Sequence, residues 1–543
     1  MSGPDGSGYP AVRVGRRLMM AGAAVTMAGW AGRGFASGPG RPLRAETTSG
    51  TLEGVAERGV HVFRGIAYGA PTGGANRFRP PQPFRWSGVR DASKFGPSAP
   101  QHLRAAPERA PFAALNRIDE DCLSLNIYAP PGGGGKHAVI VWLHGGGWRN
   151  GAGSAPGLEG HRLALLGDVV LVTVNHRLDT LGFLHIGGSD ERFADAANLG
   201  VLDMIAALTW LRDNIAQFGG DPANITIAGQ SGGGAKVAAL LAAPAAKGLF
   251  HKAIAMSCSG ALRLMERDEA DTIAADLACN LGLPRLDGPT LQRLPLEKII
   301  AGLDRSCRPM LDGRTFDRHP FDPDAAPPGK GIPLLAGNVA GETRMQLASA
   351  GLANFRLDET EVKRRLARFL DLPGDSVGRI YDAYRADAPG DGPGDLLAAV
   401  TTDYLYVRNT RRLADLQAAH APVFTYMFVR HSPAMGGILR AAHECELPFV
   451  FGTAREAVMM VGEGADIDPL TRLMIGTWSQ FAKTGDPGNA LLPAWPAHTS
   501  GKGDAMLLDV ESRFGSVPRN GPRHLLDRLP LFEYNRPTSY LRP

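Results

Sequence analysis

One stretch, Asn224 to Ala243, constrains the fold of this chain more than any other. Ile225-Thr226-Ile227-Ala228 reads as a short buried strand, Gly229-Gln230-Ser231-Gly232-Gly233 as a turn, and Ala235 to Leu241 as an Ala-rich helix. The turn fits G-x-S-x-G, the nucleophile elbow, which seats a serine on a tight strand-to-helix reversal. Glycine on either side lets strand and helix approach without a Cβ between them. The helix start then points free N–H groups and the positive end of its dipole toward the serine, where a developing anion would be stabilised.

The surroundings agree with that unit. Ala138 to Leu143 and Val169 to Val174 are continuous apolar runs of strand length, as expected for strands covered on both faces of a largely parallel sheet. Val201, Ile205, Leu208, Leu211 and Ile215 follow helical spacing, and Gly219-Gly220 end the pattern. Strand and helix signals continue to alternate through Lys252–Met256, Ile332–Ala336 and Val423–Phe428, which indicates an α/β sheet with right-handed crossovers. Thr47 to Gln101 is turn-rich with short alternating runs and predicts a small antiparallel sheet. Residues 260–330 and 350–420 are mainly helical and loop sequence. With no repeat and no clear linker, residues 46–543 read as a single α/β domain carrying helical insertions.

A chain of 543 residues with 44% hydrophobic content has ample material for such a core. Its net charge of +4 comes from one end. Residues 1–45 hold six of the 58 basic side chains and one of the 54 acidic ones, leaving 52 against 53 in the remainder. The body therefore gives no electrostatic case for a nucleic-acid partner or an anionic membrane. In the leader, Arg16-Arg17 precede Leu18-Met19-Met20 and a small-residue apolar run ending at Ala31, with a Gly/Pro-rich spacer after it. This resembles a bacterial twin-arginine export signal, cleaved after Ala36 or Ala45, and places the mature protein in the periplasm or outside the cell. The run is shorter than the ~20 residues of a spanning helix, and no other stretch suggests stable membrane insertion. The five cysteines, Cys122, Cys258, Cys279, Cys307 and Cys445, form no C-x-x-C pair and no metal-ligand spacing with histidine. Neither a metal nor a cofactor is expected, and at least one thiol should be free.

Two further motifs carry chemistry. His144-Gly145-Gly146-Gly147-Trp148 directly follows the first buried strand, where a glycine run turns backbone N–H groups into a concavity suited to an oxyanion. Downstream lie Glu342, after an apolar strand, and His443, in Ala442-His443-Glu444-Cys445-Glu446. The chain order Ser, Glu, His is that of α/β-hydrolases.

From residue 47 onward the sequence resembles the type-B carboxylesterase/cholinesterase family. The resemblance rests on Gly65-Ile66-Ala67-Tyr68, Arg77-Phe78, Glu120-Asp121-Cys122-Leu123, His144 to Trp148, Asn175-His176-Arg177, Phe218 to Pro222, the elbow, and Phe481 to Pro487. It implies the α/β-hydrolase fold, with a large, mostly parallel sheet flanked by helices, a small N-terminal antiparallel sheet, and helical insertions forming the pocket. It also implies a serine carboxylic-ester hydrolase with Ser231 as nucleophile, His443 as general base and Glu342 as the orienting acid. Gly146, Gly147 and Gly232 would hold the oxyanion, and Glu446 would be a buried acid behind the triad. Arg77 with Glu120, and Arg177 with Asp203, would be structural ion pairs. The partner implied is a small-molecule ester, with the oligomeric state left open.

The chain departs from the family pattern at several points. The upstream cysteine that the family often pairs with the one of E-D-C-L is Ala99 here, so Cys122 lacks that partner. Ser257-Cys258-Ser259 and Glu444 replace smaller residues, and no tryptophan lies between Trp86 and Trp142, which disfavours choline esters. Family members that serve as non-catalytic adhesion or scaffold proteins usually lose a triad residue, whereas here all three stand. The motifs do not separate simple esters from xenobiotic or mycotoxin esters, carbamates or lactones handled by the same acyl-enzyme chemistry.

Overall fold

Strands β6 (His137–Leu143), β7 (Val170–Val174) and β8 (Gly220–Gln230) pair in parallel, with Val141 beside both Val172 and Ile227. Alternate residues of these runs face opposite ways. Val139, Val141 and Leu143 join Val172 and helices α2 (Leu199–Asn214) and α3 (Gly232–Ala242) in one core layer. Ile140, Trp142 and Leu171 join helices α1 (His161–Gly167) and α7 (Ile467–Thr484) in the other. Both faces are covered, so the strands read as unbroken apolar runs, each large side chain contributing about 1.5–3 kcal/mol on burial.

The computed structural model describes residues 43–102, 112, 115–132, 136–188, 190–260, 262–303, 305–531 and 539–541. The sheet has 13 strands in the order β1-β2-β3-β5-β7-β6-β8-β9-β10-β11-β12-β13, with β4 beside β2. These are β1 (Leu43–Thr47), β2 (Gly50–Glu57), β3 (Val60–Ala67), β4 (Val89–Asp91), β5 (Ser124–Ala129), β9 (Lys252–Met256), β10 (Leu334–Val339), β11 (Val423–Phe428), β12 (Asp504–Leu508) and β13 (Arg513–Ser516). From β7 to β12 every neighbouring pair is parallel, and antiparallel pairs flank that centre on both sides. This is the α/β-hydrolase architecture. Three helices matter below: α4 (Arg344–Ala350), α5 (Pro393–Thr402) and α6 (Arg408–Ala418).

Four details differ from the sequence reading. The small N-terminal sheet is present as β1, the first half of β2 and β4, but β4 runs parallel to β2, and the second half of β2 pairs with β3, which links this sheet to the main one through β5. The strand expected over 332–336 begins at Leu334, since Pro333 has no N–H for a ladder, and extends to Val339. Leu43, Arg44 and Ala45 pair with Gly54, Glu53 and Leu52, so the folded unit starts ahead of residue 46. The expected export signal and its Ala36 cleavage point fall in residues 1–42, outside the described residues, whereas Ala45 lies within β1. Gly220 begins β8, and Gly219 alone ends the preceding helical turn in a left-handed conformation (φ 82°). All five cysteines are free thiols.

Candidate active site

The site forms where β6, β8, β10 and β11 end, the C-terminal edge of the parallel sheet, which is where open α/β sheets bind ligands. Ser231 connects β8 directly to α3 with φ 58° and ψ −121°, a strained conformation for a residue with a side chain. Two backbone bonds hold it there: Ser231 N–H donates to Met256 C=O (2.8 Å), and Ala235 N–H donates to Ser231 C=O (3.1 Å).

Gly146 and Gly147 follow β6 with φ 89° and 65°, conformations that favour glycine. The two glycine segments touch. A Cβ on Gly232 would stand 2.2–2.4 Å from the O, Cα and N of Gly147, so only glycine permits this approach. The contact brings the start of α3, whose first N–H groups have no intrahelical acceptor, against the loop after β6.

Glu342 sits in the turn between β10 and α4 and is fully buried. Its Oε1 accepts from Asn338 Nδ2 (2.9 Å) and Val339 N–H (3.1 Å), and its Oε2 accepts from His443 Nδ1 (2.6 Å). The carboxylate is thereby held in one orientation, and by accepting the Nδ1 proton in that hydrogen bond it leaves Nε2 as the unprotonated nitrogen of the imidazole. The segments carrying acid and base are themselves tied, Gly341 N–H donating to Ala441 C=O at 2.8 Å. Gln230, the residue before Ser231, is buried with its Nε2 3.2 Å from His443 Nε2 and 3.4 Å from Nδ1. Glu342 and His443 thus meet from two separate strand ends, and Gln230, the residue before Ser231, reaches the same imidazole from a third. Among the described residues no hydrogen bond joins Ser231 Oγ to the imidazole; such contacts often tighten only when substrate binds.

Glu446 is fully buried, and neither oxygen has a hydrogen-bond partner among the described residues. Burial, and then the Glu342 carboxylate, push its pKa well above the usual carboxylate range. Glu444 is also buried and has φ 71°. Burial pushes the Cys258 and Cys445 thiols up as well, which makes them poor nucleophiles. Burial, reinforced by the nearby Lys236 ammonium, holds His144 well below the usual histidine range, so it is neutral.

The ion pairs lie away from the reacting groups. Arg77 and Glu120 meet in a two-pronged pair at 2.6 Å on each prong, and Arg77 Nη1 also donates to the carbonyls of Leu291 (3.1 Å) and Leu294 (2.8 Å). Arg177 meets Asp203 at 2.9 and 2.6 Å with both groups buried, tying the loop after β7 to α2. A cluster with metal-ligand chemistry, Glu57, Glu159 and His161, occurs elsewhere, but Arg64 and Arg58 already pair with its two carboxylates.

Three residues near these groups carry no signal in the sequence: Gln230, Tyr406 and Lys236. A π-helical turn, Asp403–Val407, joins α5 to α6. It brings the Tyr406 ring to 5.0 Å from the His443 ring, and its hydroxyl accepts from Gln346 Nε2 (2.9 Å). Such turns recur at functional sites, yet this one sits inside an ordinary helical pattern. Lys236, in the Ala-rich run after the elbow, is fully buried with its Nζ on the carbonyl of His144, at the start of the glycine loop.

The carboxylesterase family model matches residues 41–522. The chain is 34% identical to a para-nitrobenzyl esterase of Bacillus subtilis, over 88% of this chain and 97% of that one. It is 35% identical to a phenmedipham hydrolase of Pseudarthrobacter oxydans over the same shares. The crystal structure of the Geobacillus stearothermophilus carboxylesterase EST55 superposes with a TM-score of 0.78 at 35% identity, covering 89% of this chain and 99% of that one. With the family match spanning nearly the whole folded unit, the chain belongs to the carboxylesterase family and is a carboxylic-ester hydrolase.

Proposed function

We propose that ester hydrolysis proceeds here through an acyl-enzyme on Ser231, with His443 as base and Glu342 as the acid that orients it. The observation that carries this reading is the 2.6 Å contact between Glu342 Oε2 and His443 Nδ1, with Gln230, the neighbour of Ser231, lying against the same imidazole. His443 Nε2 takes the Ser231 hydroxyl proton as Oγ bonds to the ester carbonyl carbon, and the C=O π pair moves onto the oxygen. The N–H groups of Gly146, Gly147 and Gly232 receive that oxyanion, and loss of one such donor typically costs ~10²–10³-fold in kcat. The tetrahedral species then expels the alkoxide, which leaves as the alcohol with the proton from His443. Water enters next, gives a proton to His443 and bonds to the acyl carbon; Ser231 Oγ departs and recovers its proton. The sum is ester plus water to acid plus alcohol, and the residues named perform every step.

The substrate proposed is a small-molecule carboxylic ester. Carbamates, lactones and xenobiotic or mycotoxin esters are open to the same steps, and the relative named for phenmedipham is a reason to assay carbamates. Residues 1–45 are proposed as a twin-arginine export signal and spacer, the last three of them already forming part of edge strand β1, ahead of a single catalytic domain.

A fluorophosphonate probe tests the chemistry. One adduct is expected, on the peptide containing Ser231, and Ser231→Ala should fold yet lose labelling and nearly all turnover; normal turnover by that variant would overturn the assignment. Replacing Arg16 and Arg17 with lysine tests export. Active esterase should then stay in the cytoplasm, and undiminished periplasmic activity would rule out this route.

A further inference from the structure

Lys236 is fully buried in α3, and no carboxylate pairs with it among the described residues. Its Nζ donates to the carbonyl oxygen of His144 at 2.8 Å. The other groups facing it are the Trp148 ring, with its centroid 6.0 Å away, and the His144 and His176 imidazoles, stacked on each other at 5.0 Å. Burial and the ammonium itself keep both imidazoles neutral, so none of these neighbours offsets its charge. A methionine of similar volume would occupy the same space without the desolvation cost that a lone ammonium carries. Lys236 also titrates well below the ordinary lysine range because of that burial. A polar side chain buried at such a disadvantage calls for a task, and the acceptor of its hydrogen bond indicates one.

We propose that Lys236 is a positioning residue for the oxyanion hole, tying the helix that contributes Gly232 to the loop that contributes Gly146 and Gly147. This rests on the reading of those three glycines given above. The two halves of the hole come from different elements, the loop after β6 and the start of α3. They meet at close backbone contacts, Gly147 with Gly232 and Leu143 C=O with Gly233, which fix how near they come and leave their relative rotation to directional bonds. His144 immediately precedes the glycine run, and Lys236 lies four residues beyond Gly232 on the helix. The bond between them spans the contact and sets the loop's orientation against the helix. Without it, the His144 carbonyl would be left buried and unpaired, and the loop N–H groups would be free to turn away from the position of the developing oxyanion.

The experiment compares the full chain with Lys236→Met, using p-nitrophenyl acetate as substrate, a fluorophosphonate to count active sites, and a trifluoromethyl ketone as an analogue of the tetrahedral species. The expected result is a fall of about 10–100-fold in kcat per titrated site with KM changed by less than about threefold, the size that a small misplacement of catalytic groups produces. Affinity for the ketone should fall in step with kcat. Lys236→Gln, which keeps an N–H donor on a shorter side chain, should recover part of both; it also replaces the methionine variant, under the same criterion, if that one does not fold. A purely structural lysine would lower Tm or the titrated fraction and leave kcat per site and ketone affinity unchanged, and that result would overturn the inference. If the wild-type protein itself takes up neither the phosphonate nor the ketone, the Ser231 reading is what fails.

Discussion

The carboxylate of Glu342 meets His443 Nδ1 at 2.6 Å although 101 residues separate the two in the chain. The contact forms because β10 and β11 are adjacent parallel strands whose exits are joined by the bond from Gly341 N–H to Ala441 C=O. With two other donors on its Oε1, Glu342 has little freedom to turn, so the orientation of the imidazole is built into the sheet.

Replacing Glu342 with glutamine keeps the shape but presents His443 with an amide in place of a carboxylate. By the behaviour of triad acids in general, kcat should fall by ~10²–10⁴-fold with the fold intact by circular dichroism. A loss below about threefold would move the role to another carboxylate, and Glu446 would be the first to examine.

The Gly147–Gly232 contact predicts intolerance to a single methyl group. In Gly232→Ala the new Cβ would sit 2.2 Å from Gly147 O and 2.4 Å from its Cα and N, and backbone must move to admit it. Loss of at least ~10²-fold in kcat is expected, the size associated with a displaced oxyanion donor. Steady-state kinetics of a variant with an unchanged far-ultraviolet spectrum is the check, and activity within threefold of wild type would count against the arrangement.

Glu446 links stability to pH. Burial first, and the neighbouring Glu342 second, raise its folded pKa above that of an unfolded glutamate, near ~4.3. Between those two values the folded state keeps a proton that the unfolded state has lost, so this group makes stability fall as pH rises. Glu446→Gln removes that dependence. Its Tm should match wild type near pH 4 and exceed it at pH 8, and equal Tm values across the range would show that Glu446 is not held protonated.

Asp203 and Arg177 form a pair with no solvent to screen it. Asp203→Asn leaves the guanidinium buried and uncompensated, which costs about 3–5 kcal/mol in such settings. The urea midpoint should drop sharply, and combining Asp203→Leu with Arg177→Met should recover much of the loss. If the double variant is no more stable than the single one, the deficit lies in packing and not in the stranded charge.

Local order alone was enough to read the central strands, the elbow at 229–233, the glycine run at 145–147, and the sequence Ser231, Glu342, His443. Strands covered on both faces must be apolar throughout, and a reversal as tight as that at Ser231 must be flanked by glycine, so both constraints are written into consecutive residues. Element ends were less legible: β10 starts at Leu334 because of Pro333, and β1 reaches back to Leu43 because Gly54 and Glu53 offer it a ladder. The tertiary structure alone decided the neighbours of Ser231, Glu342 and His443. Gln230 lies against His443 because β8 and the segment after β11 end at the same edge of the sheet. Tyr406 reaches the imidazole through a π-turn that nothing in Asp403-Tyr404-Leu405-Tyr406-Val407 distinguishes from regular helix. Lys236 turns inward because a carbonyl from a different strand's exit lies within 2.8 Å of its ammonium. Periodicity reports which residues are buried; which buried groups meet depends on how distant segments are brought together by the sheet, and that is settled only when the chain is folded.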